Sequence, residues 1–440
     1  MHASVDVHLE ITIQEPKTVT LGTLAQSITD LAIKEHLIEE IVTSADAQLT
    51  EAYCGEKYEH GNGEKRYQRG GTTTRTATTT AGEHEFTLHQ VEDTTEGSYF
   101  RPVEDAITFD GKKHYQEDVS MDAVELATKM SYRDAETEGE RFTAMPSPST
   151  INRRVIEYGE HLQEFNREHV EDRESTCVQA DGTKSHSQED DQRYNNITVA
   201  MADDGDGELL AVSVDKPWEE TAADLDERDA VAEDATIVSD ADQELANAFI
   251  VQDRTHQLDL VHLVRTTAYK LWEDEELSLE LRELAVESLE HVIYPLAYAV
   301  EWYRETDDRA DSWLRERIDE TVETLEQMAT NLDSIECSIA AEYIQECSNR
   351  AVTFARLALE DVHVPWTSNR VERLMGEISK RCKHKWMRWT SRGQEAILRL
   401  LLTRYTSEEH YEQFRAEITH QADQSYISTE VRVDSARGKF

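Results

Sequence analysis

The stretch VQADGTKSH, Val178 to His186, decides the fold. A short, mostly apolar run leads into Asp181, and Gly182 opens a polar segment. Asp-Gly is among the commonest turn dipeptides, so the plain reading is a strand that ends in an ordinary turn. The other reading makes Asp181 one part of a metal site whose remaining parts lie far along the chain. The surrounding sequence has to choose between them.

Downstream, STCVQADG, YNNITVAMAD and GELLAVSVD read as three successive strands. EETAADLDERDAVAE is a polar helix, and ATIVSDAD is a fourth strand that again ends in a carboxylate, Asp240. QELANAFI is a short helix, and QLDLVHLVRT starts as a fifth strand. From about Leu263 to Leu359 nearly everything is amphipathic helix. HVPWTSNRVERLMGEISKRCKHKWMRWTSRGQEAILRLLLTRY closes the folded part, and the tail after about Ala422 reads as unstructured.

Upstream, TLAQSITDLAIKEHLIEEIVTSA carries a helical stripe, with Leu21, Leu24, Ile28 and Leu31 on one face, continued by Ile38 and Val42. A Gly- and Thr-rich segment around FTLHQV follows, a small β element with a turn at Ala81-Gly82; it is locally basic through Lys65, Arg66, Arg69 and Arg75. Residues 120–162 then read as three helices, SMDAVELATKM, SYRDAETEGERF and TINRRVIEYGEHL. Ser147 or Ser149 can cap the third, and Pro148 fits its first turn if Ser147 is the cap. Helix, helix, turn and capped helix is the helix-turn-helix plan, which would face Thr150, Asn152, Arg153 and Arg154 to a DNA groove. A plain helical hairpin is the alternative.

The chain has 440 residues, 91 acidic and 45 basic, for a formal net charge of −46. Its hydrophobic content of 38% separates it from a disordered acidic polymer. So strong a surplus fits a solvated acidic surface in a very salty cytoplasm, as in a halophilic archaeon. High salt screens an acidic protein from a polyanion, so the charge does not exclude DNA. The five cysteines are scattered, with no CxxC, which argues against a disulfide framework or a cysteine zinc site. No apolar run reaches membrane-spanning length and none resembles a signal peptide, so the expectation is a soluble, cytoplasmic protein without membrane partners.

Three antiparallel strands, a helix, a strand and further α/β elements form the element order of a ribonuclease-H-like core, in which strands one and four are neighbours. Asp181 and Asp240 then meet. The chain resembles the DDE transposases of prokaryotic insertion sequences, especially the Mutator-like kind with a long helical insertion. The residues that carry the resemblance are ADG at 180–182, SDAD at 239–242, QLDLVH at 257–262, read as a strand, and TSNRVERLMGEISKR at 367–381. Ser368-Asn369-Arg370-Val371-Glu372-Arg373 stands where that family has Thr-Asn-x-x-Glu-Arg, with Ser in place of Thr. The resemblance covers roughly residues 176–405.

It implies Asp181, Asp240 and Glu372 as catalytic metal ligands for two Mg²⁺ ions, with Mn²⁺ able to substitute. Glu377, five residues further along the same helix and about 140° round it, is the rival third carboxylate. Asp259 and His262 match the family's Cys-or-Asp, two spacers, His pattern and are supporting residues; His262 can equally be a satisfied core histidine. The 132 positions between Asp240 and Glu372 exceed one connecting helix and imply a helical insertion at about 265–360 that embraces DNA ends or partner subunits. Trp272, Trp302 and Trp313 within it read as core residues.

From Arg370 to Arg404 the charge reverses. Arg370, Arg373, Lys380, Arg381, Lys383, Lys385, Arg388, Arg392, Arg399 and Arg404 face only Glu372, Glu377 and Glu395. Phosphate binding is the direct explanation, with Asn369 beside it and Trp386 and Trp389 interleaved for stacking; pairing with acidic helices is the other.

The expected organisation is therefore 1–110, a helix and small β element; 111–172, a helix-turn-helix region; 173–264, the first part of an α/β ribonuclease-H-like core; 265–360, an all-α insertion; 361–422, the rest of the core; and 423–440, a tail. The expected function is a DNA transposase that binds element ends and target as a homo-oligomer. A domesticated transposase that binds DNA without cutting, and a nuclease on the same fold, are the alternatives. No nucleophile elbow supports a serine hydrolase.

Overall fold

The computed structural model describes residues 33–55, 65–105, 107, 109–110, 113–169, 174–205, 207–251, 253–306, 310–383 and 387–419. Leu21, Leu24, Ile28, Leu31, Lys385, Trp386 and the 423–440 tail lie outside them. The chain is mixed α/β and divides into two compact units, Met1–Val155 with Arg415–Phe440, and Ile156–Phe414.

In the first unit, α1 (Ile33–Gly55) covers an antiparallel sheet of order β1-β2-β3, formed by β1 (Tyr67–Thr79), β2 (Gly82–Asp93) and β3 (Ser98–Phe100). Val42 and Ala45 of α1 meet Ala77, Phe86, Leu88 and Val103 in one apolar cluster, which the Ile38–Val42 stripe foretold. β1 and β2 are joined by the two residues Thr80 and Ala81. Gly82 follows at φ +135°, a backbone region that L side chains rarely adopt. Three helices come next, α2 (Glu117–Lys129), α3 (Tyr132–Gly139) and α4 (Pro148–His169), of which α4 belongs to the first unit only as far as Val155. Pro148 is the first residue of α4, which puts Ser147 at its cap position.

The second unit is built on a five-stranded sheet of β4 (Ser175–His186), β5 (Tyr194–Ala202), β6 (Leu209–Val214), β7 (Val231–Ser239) and β8 (Thr255–Leu258), in the order β6-β5-β4-β7-β8. β4, β5 and β6 pair antiparallel; β7 joins β4 in parallel and β8 joins β7 in parallel. The crossovers carry α5 (Trp218–Glu227) and α6 (Gln243–Phe249), which bury Trp218, Leu225, Leu245 and Phe249 against Val178, Ala180, Ala200 and Ile237. The apolar alternation of these strands is two-sided, as expected of a sheet with helices on both faces.

β4 does not end at Asp181. It runs on to His186, with Asp181 opposite Val199 and Gly182 opposite Thr198. The turn reading of Asp-Gly is therefore overturned: the β4–β5 hairpin extends beyond the point where β7 stops pairing, at Gln179 opposite Val238. Residues 257–262 are likewise not one strand. β8 ends at Leu258, and Asp259 caps the helix that follows.

The remaining helices are α7 (Leu260–Asp274), α8 (Leu279–Glu305), α9 (Asp311–Asp333), α10 (Ser338–Ala351), α11 (Thr353–Ala358), α12 (Asn369–Cys382), α13 (Ser391–Thr406) and α14 (Glu408–Ile418). The block at 265–360, expected as an all-α insertion, shares one continuous apolar cluster with the sheet. Cys177 of β4, Val238 of β7 and Leu258 of β8 belong to the same cluster as Leu289, Ile318, Ile344 and Phe354. Trp313 packs against that cluster, but Trp272 and Trp302 are 63% and 54% exposed, so the core reading fails for those two.

Candidate active site

The last strand-to-helix elements are pinned to the sheet by polar side chains that leave it where apolar ones would be expected. Gln179 is a fully buried amide in the apolar run of β4. Its Oε1 accepts from the backbone N–H groups of Arg370 and Val371, both at 3.1 Å. A strand residue thus satisfies two of the free donors that every helix start carries, here those of α12. Ser368, the residue at the cap position of α12, makes no side-chain cap bond. Its hydroxyl and its N–H both donate to Asp259 Oδ2, at 2.5 and 2.7 Å.

Asp259 Oδ1 meanwhile accepts from the N–H groups of Val261 and His262, at 2.7 and 3.0 Å. Asp259 is 1% exposed, and all four of these bonds serve to join the starts of α7 and α12.

These two ties bring the first turn of α12 to the β4–β7 boundary and deliver Glu372 there. Glu372 Oε1 lies 3.2 Å from His262 Nε2 and 3.7 Å from Arg265 Nη2. Arg265 Nη2 is also 2.8 Å from His262 Nε2. That nitrogen can donate to Glu372 or accept from Arg265, not both.

Asp181 sits two residues beyond the last β4–β7 pair, and Asp240 is the first residue after β7. Each spends one oxygen locally: Asp181 Oδ1 accepts from Gly182 N at 2.7 Å, and Asp240 Oδ1 from Asp242 N at 3.0 Å. Neither second oxygen has a hydrogen-bond partner among the described residues.

Burial pushes the Asp181 carboxyl up to about 6, against the Gly182 N–H, with further upward pushes from Asp240 and Glu372 and a downward one from His262. Asp240 is also raised, again chiefly by burial, with Asp242 and Asp259 adding to it and the Asp242 N–H and His262 opposing. His256, which contacts Ser239 Oγ at 2.9 Å next to Asp240, is pushed down to about 4 by burial and by Arg350, so it brings no positive charge at neutral pH.

Asp181, Asp240 and Glu372 thus come from three elements to one end of the sheet, where the charges of Asp240 and Glu372 help to raise Asp181. Glu377 does not join them; it pairs with Lys380 at 2.6 Å. Among the described residues, three ligand atoms mutually within 4.8 Å are offered only by Asp259, His262 and Glu372. We assign Asp259 to the fold rather than to a metal, because both its oxygens are already occupied by backbone and hydroxyl donors. The carboxylates with room for a cation are Asp181, Asp240 and Glu372, with His262 beside them. Two carboxyls raised chiefly by burial, each also pushed up by neighbouring acids, fit a divalent ion well.

The basic segment divides. Asn369, Arg373 and Arg388 are exposed. Lys380 pairs with Glu377, and Lys383 reaches Thr183 Oγ1 at 2.5 Å. Arg370 is tied to Asp203 Oδ1 at 2.9 Å and to the Gly205 carbonyl. Arg381 is buried with its guanidinium 4.7 Å from the Trp389 ring centroid, and Trp389 is itself buried. Neither is available to phosphate or bases, because i,i+3/i+4 spacing puts Arg381 on the inward face with Leu374 and Ile378. Arg399 pairs with Glu395.

In the first unit, Thr150 and Asn152 are half-buried and Arg153 is exposed. Arg154 is not on the outer face: it is 4% exposed and lies 3.9 Å from Glu117 Oε1. It falls three residues after Ile151 and four before Tyr158, both buried, so the helical period already placed it inside. Gln179 had a signal too, as a lone amide in an apolar strand. The fourfold role of Asp259 had none beyond its cap-like position before a helical run.

Residues 20–207 match the sequence profile of a family described as "Uncharacterised protein family (UPF0236)". That span is less than half of the chain; it includes Asp181 and stops before Asp240 and Glu372. No curated protein matches the chain. No helix among the described residues is long and apolar enough to cross a membrane.

Proposed function

We propose that this chain is a DNA transposase of the DDE class, built on a ribonuclease-H-like core, which cuts and joins the ends of an insertion element by metal-dependent phosphoryl transfer. One observation carries the reading: Asp181, Asp240 and Glu372, contributed by three separate elements, converge at one end of a β6-β5-β4-β7-β8 sheet, with Asp181 and Asp240 raised by burial.

Two Mg²⁺ ions, or Mn²⁺ in their place, would activate the attacking oxygen and stabilise the leaving one. Asp181, Asp240 and Glu372 are the residues that would hold them. His262, in the tautomer that carries its proton on Nε2, would donate to the Glu372 carboxylate across their 3.2 Å contact. Arg265, half exposed beside Glu372, offers a guanidinium to a phosphate oxygen arriving at the site. Lys383 and Arg388 extend positive charge along the edge where the strand would lie. Thr150, Asn152 and Arg153 supply the reader of element ends, and a homo-oligomer brings two ends together.

The test is strand cleavage of the DNA that flanks the gene, in MgCl₂ or MnCl₂. Asp181→Asn, Asp240→Asn and Glu372→Gln should each lower cleavage by at least about a thousandfold with folding and DNA binding kept, since each removes a ligand charge at nearly constant volume. Glu377→Gln should cleave normally. Full cleavage by any of the first three removes that residue from the site. Sequence-selective binding without cleavage by the wild type would instead indicate a domesticated DNA-binding protein.

A further inference from the structure

On the sheet face opposite α12 and α13, a polar cavity of about 670 Å³ opens beside Asp181 and Asp240, within the roughly 300–1,000 Å³ of small-molecule sites. Its floor is the β4–β5 pair, with Gly182 opposite Thr198 and Lys184 opposite Asn196. Its walls come from Trp218 at the start of α5 and from α6.

Two details mark it as built for a ligand. Thr198 is 6% exposed, yet its hydroxyl has no hydrogen-bond partner among the described residues, a costly arrangement for a buried polar group. Gly182 needs no glycine for its backbone, since its φ is not positive and it sits in a regular strand. A Cβ there would meet only the Ile197 carbonyl at 3.6 Å and Trp218 at 3.7 Å, which are ordinary contacts. What the glycine does provide is open floor.

We propose that this cavity receives the sugar and base of the nucleotide next to the scissile phosphate, drawn out of the duplex, with the Thr198 hydroxyl and the Asn196 amide bonding to it and Lys184 holding the following phosphate. The proposal rests on the phosphoryl-transfer reading: a phosphate held between Asp181 and Asp240 has its adjoining nucleoside one covalent unit away, at the cavity mouth. A hydroxyl, an amide and an exposed ammonium on one floor match the donor and acceptor groups of a nucleotide.

Two variants test it. Thr198→Val keeps the shape and removes the orphan hydroxyl, and Gly182→Val fills the floor. Calorimetric titration with deoxynucleoside 5′-monophosphates in MnCl₂ should show binding by the wild type, at least about fivefold weaker binding by Thr198→Val, and none by Gly182→Val. Thr198→Val should at the same time melt a few degrees higher, because the unpaired hydroxyl is gone. In cleavage assays Gly182→Val should lose intact DNA at least about tenfold and regain activity on DNA with an abasic site at the flanking position.

Binding of all three proteins with equal affinity, or no binding by the wild type, overturns the proposal; so does equal cleavage of intact DNA by all three. Should Gly182→Val not fold, Thr198→Val decides alone. A protein that binds nucleotide through Thr198 but cuts no DNA retains the cavity and loses the transposase reading. One that cuts DNA equally well in all three forms does the reverse.

Discussion

Asp259 and Asp181 are both carboxylates at strand-to-helix or strand-to-strand positions of one sheet, and they have opposite surroundings. Asp259 receives four donors and is sealed from water. Asp181 receives one donor, from its own neighbour, and is pushed up to about 6 by burial and by other acids. The first is a solved electrostatic problem, the second an unsolved one. A carboxylate whose charge is fully answered by the fold has nothing left to offer a ligand, whereas one left short of donors favours any cation that arrives. The same contrast holds for neighbouring cations: Arg154 is answered from within by Glu117, and Arg153 faces solvent.

This contrast can be broken by experiment. The largest stability loss should follow Asp259→Ala, about 3–5 kcal/mol by chemical denaturation, because removing one side of a buried charged network leaves four donors unmet. A loss below about 1 kcal/mol would mean that Asp259 is free to act as a ligand. Arg154→Ala should cost about 2–3 kcal/mol through lost packing and the loss of its contact with Glu117, which keeps Lys113, and should affect DNA binding only in proportion to unfolding.

Asp181→Asn should instead stabilise the metal-free protein at pH 7, by about 1–2 kcal/mol, since the amide carries no charge to desolvate. The sign follows from the raised carboxyl. The folded state holds its proton more tightly than the unfolded one, so its contribution is fully present below pH about 4 and is lost as pH rises towards 6. The stability difference between wild type and Asp181→Asn should therefore open over that window and stay flat above it. MnCl₂ should close it again at pH 7–8 and do little at pH 4, where the ligand is protonated. A wild type that gains stability from Asp181 as pH rises would reverse the assignment. The smallest effect should be that of Arg153→Ala: melting within about 0.5 kcal/mol of wild type, with DNA binding weakened by about 1–3 kcal/mol if it reads a guanine edge and less if it touches phosphate.

Much of this was legible in the sequence, and the failures are instructive. Period-two and period-3.6 patterns located the strands bearing Asp181 and Asp240 and the helix bearing Glu372, because burial of one face imposes those periods. Asp-Gly misled because a glycine inside a regular strand looks, in a sequence, like a glycine at a turn. Arg154 and Arg381 misled because charge was weighed before helical phase; each occupies an inward position, where a long side chain can bury its stem and meet a partner. Trp272 and Trp302 reversed a base expectation that large aromatics are interior. The bonds of Gln179 to residues 370 and 371 could not be read at all, since a side chain that caps a helix from another element leaves no local spacing to recognise.

Those same bonds have a consequence for the nascent chain. Glu372 emerges from the ribosome 132 residues after Asp240, an interval of roughly 7–26 s at common synthesis rates. The start of α12 has no side-chain cap of its own and draws on Gln179 and Asp259, made long before it. The early sheet must therefore wait with the Gln179 amide oxygen and one of the two Asp259 oxygens unanswered until the last helices arrive. The three carboxylates meet only when nearly the whole polypeptide has been made, and a truncated product contains two of them at most.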